Sequence, residues 1–106
     1  MAKYLFEANY TPEGLKGLKQ AGAASRVAAI TDMCTGLGGS LESFHFAFGG
    51  VDAFVVVDLP DDEAAAAAAL TVGASGLAQV KTVKLLTAAE TDAAVSRSVA
   101  YRPPGA

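Results

Sequence analysis

The chain has a single histidine, His45, and the residues around it are the ones best suited to chemistry. An imidazole titrates near ~6.5, so a histidine held by a carboxylate can act as a general base at neutral pH. Asp52 is the carboxylate to weigh, because Gly49-Gly50 between the two reads as a tight turn joining two strands. With a two-residue turn, Phe48 faces Val51, Phe46 faces Ala53, His45 faces Phe54 and Ser43 faces Val56. Asp52 then lies diagonal to His45, at about 7–8 Å. One reading makes His45 a catalytic base oriented by Asp52, with Ser43, Phe54 and Val56 lining a substrate site. The other places His45 in an interface and gives Asp52 to nearby turn amides.

Other reactive types offer less. Asp58, Asp61, Asp62 and Glu63 resemble a hard-cation cluster, yet the last three fall where a helix N-terminus favours negative charge, and no calcium-loop spacing follows. One histidine and one cysteine are too few for a zinc site, and a lone histidine is thin support for haem. Gly36-Leu37-Gly38-Gly39 looks like a phosphate loop but ends a helix and enters a strand, the reverse of the required order. Cys34 falls on an apolar helical stripe and reads as an inert core thiol. The residues therefore imply no metal and no cofactor.

The elements that must position His45 are legible from periodicity. Residues 2–9 read as a strand apolar on both sides, which places it centrally in a sheet. Thr11-Pro12-Glu13 opens a helix with a cap, a first-turn proline and an acidic first turn. Gly22 predicts a break, after which Val27, Ile30, Cys34 and Leu37 form a stripe that ends at Gly38. Strands follow over 40–48 and 51–59. Asp61 then caps an alanine-rich helix that runs to Gly73. A last strand covers 78–86, and Thr87 with Glu90 has the spacing of a capping box for a short final helix.

This β-α-β-β-α-β order predicts an α+β, ferredoxin-like domain over 1–98, with a four-stranded antiparallel sheet, an extra C-terminal helix and a loose tail over 99–106. Helices on one side leave the other side bare. The hairpin parity puts Phe44, Phe46, Phe48, Val51, Ala53, Val55 and Val57 under the helices. It puts Ser43, His45, Ala47, Asp52, Phe54, Val56 and Asp58 on the open face. Such a mixed surface suits a homodimer interface enclosing a small-molecule pocket.

Tyr10-Thr11-Pro12-Glu13-Gly14-Leu15, the glycine-rich helix end before a Phe-rich strand, Gly50-Val51-Asp52 and Pro60-Asp61-Asp62-Glu63 together resemble the GYD-domain proteins over roughly residues 3–87. Val51 stands where the signature has tyrosine, so any role of that hydroxyl is absent. The resemblance implies a ferredoxin-like subunit paired face to face as a dimeric α+β barrel, or a larger assembly built from it. The wider structural class includes cofactor-independent monooxygenases, isomerases and ligand-sensing modules, and fold alone does not choose among them.

Composition narrows the partners. A net charge of −3 with scattered basic residues argues against nucleic acid, and no basic amphipathic helix addresses a membrane surface. No apolar run approaches the ~20 residues that span a bilayer. The first residues enter a strand without a signal-peptide core, and the only cysteine has no partner within the chain. The expected location is cytoplasmic.

Overall fold

A computed structural model describes residues 1–106. The chain runs β1 (Ala2–Tyr10), α1 (Pro12–Ala21), α2 (Ala23–Gly36), β2 (Ser40–Phe46), β3 (Ala53–Leu59), α3 (Asp62–Ala74), β4 (Ala78–Leu85) and α4 (Ala88–Val95). The four strands form one sheet in the order β2-β3-β1-β4, and every neighbouring pair is antiparallel. This is the expected ferredoxin-like α+β plan, with the doubly apolar β1 in the interior of the sheet.

The helix boundaries follow local chemistry. Thr11 caps α1 by accepting the Gly14 N–H at 3.2 Å, and Pro12 takes the first turn. Thr11 also donates its N–H to the Leu77 carbonyl and its hydroxyl to the Gly76 carbonyl, at 3.0 and 2.9 Å. These bonds draw the start of α1 against the turn before β4. Gly14 fits there because it has no side chain; a Cβ would overlap the Leu77 carbonyl oxygen. Gly22, at φ 88°, separates α1 from α2. The second helix begins at Ala23, slightly before the Ser25 restart that its apolar stripe suggests. Asp61 caps α3 by accepting the Ala64 N–H at 2.8 Å.

The core lies between the helices and one face of the sheet. Tyr4, Phe6 and Ala8 of β1, and Ala53, Val55, Val57 and Leu59 of β3, pack against Ile30, Cys34, Ala65 and Ala68. Cys34 is fully buried, and burial pushes its thiol pKa up, which leaves it unreactive. The buried Tyr4 hydroxyl donates to Asp62 at 2.5 Å and ties β1 to α3. Lys84 completes this cluster, 3.4 Å from the Asp62 carboxylate and 5.2 Å from the centre of the Tyr4 ring. The hydrogen bond to Asp62, followed by burial, pushes the Tyr4 pKa up to about 12. The Tyr4 hydroxyl and Lys84 in turn hold the Asp62 carboxyl below its ordinary value.

The β2–β3 connection corrects the two-residue turn. Strand pairing stops at Phe46 and Ala53, and residues 47–52 form a wider loop. Phe48 is in the left-handed region at φ 59° and Gly50 is at φ 144°. Asp52 donates its N–H to the Ala8 carbonyl at 2.9 Å and its own carbonyl accepts the Ala47 N–H at 3.0 Å, so it ties this end of the loop to β1 while one bond still crosses the hairpin. Phe48 consequently leaves the core and stands 55% exposed, stacked on Phe46. The expected opposition of His45 with Phe54 and Ser43 with Val56 is nevertheless present.

A second irregularity lies at Glu42. Ser43 pairs with Val56 and Leu41 with Val57, so Glu42 is an extra residue without a partner, a β-bulge. Strict alternation from Phe44 would put Leu41 on the open face. The bulge returns it to the core side, where it packs on the buried cluster.

The helix α4 stands apart. Thr87 and Glu90 form the expected capping box, and Glu90 is held below its ordinary pKa by the Thr87 N–H and hydroxyl. None of its residues is buried. The radius of gyration is 16.7 Å, against about 13 Å for a compact chain of this length, and the long axis reaches 55 Å. No helix is long and apolar enough to cross a membrane.

Candidate functional site

The strand register builds the open face row by row. A central row runs Ser43, Val56, Leu5, Val83 across all four strands. On one side of it lies the row His45, Phe54, Glu7, Lys81, and on the other the row Ser40, Asp58, Lys3, Leu85. An apolar band is therefore bracketed by two rows that carry charge. Phe54 and Val83 are 36% and 40% exposed, far more than the valines of the opposite face.

Ser43, His45, Phe54 and Val56 thus share this face as two directly opposed pairs. His45 stands on the edge strand β2, exposed, and its imidazole makes no hydrogen bond or ion pair within the chain. Asp52 is placed differently. Its carboxylate accepts the Tyr10 N–H at 2.9 Å, while its backbone N–H and carbonyl serve Ala8 and Ala47. No hydrogen bond joins it to His45. The residue fastens the end of β1 to the 47–52 loop, and it serves a strand amide where the alternative reading had turn amides. Gly50 adds to the same junction, its carbonyl accepting from the Asn9 side chain at 2.5 Å. In Gly50-Val51-Asp52, both outer residues therefore hold the loop to β1.

Two polar residues of this face were not singled out from the sequence. Lys3 bridges Glu42 at 2.9 Å and Asp58 at 3.0 Å. Hydrogen bonds to Glu42 and then Asp58 hold its ammonium above the ordinary lysine value. Lys3 and Asp58 are opposed in register, and the bulge is what turns Glu42 toward them. Hairpin parity already places Asp58 on this face, but Glu42 needs the bulge and Lys3 needs the pairing of β1 with β3. The arrangement can present an apolar strip with a free imidazole at one side, and it can clamp the far end of the sheet electrostatically. No group of three or more His, Cys, Asp or Glu side chains is close enough to hold a metal ion.

No curated protein and no solved structure matches this chain. A family model described as the GYD domain matches residues 4–95, from within β1 to the end of α4. That span includes every strand of the open face, and the chain belongs to the GYD-domain family.

Proposed function

We propose that the chain is a homodimeric small-molecule-binding module, in which two copies cover each other's helix-free sheet faces and hold a ligand at Ser43, His45, Phe54 and Val56. The observation that carries this reading is the bracketed apolar row. An apolar centre with a charged rim is the usual anatomy of a protein interface, and a two-fold axis lets one such face complement itself. The detached α4 adds support. A helix of eight residues is marginal in water without packing, and the exposed Leu86, Val95, Val99 and Tyr101 in and around it await a surface.

The same site could work as a cofactor-independent oxygenase or isomerase, with His45 abstracting a proton. That version needs an orienting group for the imidazole. Asp52 is engaged with Tyr10, so the group would have to come from the second copy, and binding is the reading favoured over catalysis.

Light scattering at micromolar concentration tests the proposal. The expected result is a dimer that Val56→Lys converts to a folded monomer, because a lysine there places an unpaired charge at the interface centre. A stable wild-type monomer refutes the proposal.

A further inference from the structure

The opposite side of the sheet holds a feature that the dimer does not use. The helices α2 and α3 both rest on the sheet but scarcely touch each other, and a crevice runs between them. The crevice itself leaves only about 40 Å³, and at Tyr10, Arg26, Met33 and Val72 it opens into a broader groove beside α1 of about 450 Å³, so a ligand would lie mainly in the groove with its end in the crevice. Phe6 and Val55 form the floor of the crevice, with Met33 on one wall and Val72 on the other. On α3 the wall is otherwise alanine, Ala68 and Ala69, where longer side chains would close the gap.

Arg26 is the only charged residue along this crevice, and the remaining lining is hydrophobic. It also lines the broader groove beside α1, as does Tyr10, so both stand where the two spaces join. The ion pairs of the chain involve Lys3, Lys16 and Lys84; Arg26 has no carboxylate within reach. An unpaired guanidinium at the mouth of an apolar crevice complements a ligand with one anionic group and an apolar body. The net charge of −3 gives anions no general attraction to the chain, so this local cation sets the preference.

We propose that the α2–α3 crevice and the adjoining groove bind a small carboxylate with an apolar body, its carboxylate on Arg26 and the Tyr10 hydroxyl and its apolar part along Met33 and Val72, with its end at Phe6. Tyr10 suits a donor role. Burial raises its pKa, and the nearby guanidinium only partly opposes that rise, so the hydroxyl keeps its proton at neutral pH. The inference is independent of the dimer, because the crevice lies on the far side of the sheet from the open face.

Titration of the full chain with octanoate and with 1-octanol, followed by methyl NMR resonances, tests it. Octanoate is expected to give saturable shifts at Met33 and Val72 and to bind at least about tenfold more tightly than octanol. Arg26→Gln should bring octanoate down to the octanol level and leave octanol unchanged, while Arg26→Lys should keep part of the preference. Equal binding of the two compounds, an unaffected Arg26→Gln, or shifts confined to Leu5, Val56 and Val83 would each overturn the proposal. So would intermolecular contacts from Val95 or Val99 to Met33, which would give the crevice to a second copy instead.

Discussion

Replacing Asp52 separates its two readings most directly. In the structure its carboxylate accepts the Tyr10 N–H at 2.9 Å, a charge-assisted bond at the end of a strand that supplies both the core and the open face. Asp52→Ala removes the acceptor and leaves the amide to find water. A hydrogen bond to a charged group is worth about 1.5–3 kcal/mol when fully buried. Asp52 is only half-buried, so the expected loss is about 1–2 kcal/mol. For a domain of this size that lowers Tm by about 5–10 °C. Asp52→Asn keeps a carbonyl oxygen as acceptor and should lose roughly half as much. Urea unfolding at fixed protein concentration measures both, the fixed concentration removing any contribution from association. The loop should also become more accessible to amide exchange at Ala47 and Tyr10. If Asp52→Ala matches the wild-type protein in stability and exchange, the clamp does not exist as described, and Asp52 becomes available to His45 again.

Two further outcomes follow from close packing and charge. Gly14→Ala should destabilise the chain by about 2–4 kcal/mol, because the new Cβ must push α1 off the Leu77 carbonyl and stretch both Thr11 bonds; an unchanged urea midpoint would contradict that approach. The Tyr4–Asp62 pair predicts a loss of stability at both ends of the pH scale. Tyr4 has its pKa raised by the fold, so its contribution is complete below about pH 10 and is lost as pH climbs to about 12. Asp62 has its pKa lowered, so its contribution is present above about pH 4 and is lost as pH falls further. Tyr4→Phe should flatten the alkaline limb of a stability–pH curve, and an identical limb in both proteins would count against the pair.

The parts of this architecture that the sequence makes legible are those governed by neighbours along the chain. Thr11-Pro12, Asp61 and the Thr87–Glu90 box mark helix starts because a cap bonds only two or three residues ahead. Gly22 and Gly38 mark helix ends because their backbones take positive φ. Alternation along 43–46 and 53–56 places Ser43, His45, Phe54 and Val56 on one face, since parity survives any loop that preserves the pairing. What escapes the sequence depends on distant partners. The Tyr10 amide that captures Asp52 belongs to a strand more than forty residues away. Lys3 reaches Glu42 only after β1 has docked on β3. The crevice beside Arg26 is a gap between two helices, and no periodicity encodes a gap.

The extra residue at Glu42 has a consequence for how this sheet tolerates change. It acts as a phase shifter that splits β2 into two stretches, each keeping its own alternation. The stretch from Ser43 to Phe46 takes its phase from the 47–52 loop, and the stretch at Leu41 takes its phase from the bulge. A single-residue deletion at Glu42 would make Leu41 the direct neighbour of Ser43, so plain alternation would keep Leu41 opposite Val57 in the core and the surface around His45 facing the same way; straightening the strand with Glu42 retained is what would turn Leu41 outward. Loss of the extra residue would therefore remove the Lys3–Glu42 bridge and spare both faces of the strand, although Glu42 and both faces are carried on seven consecutive residues.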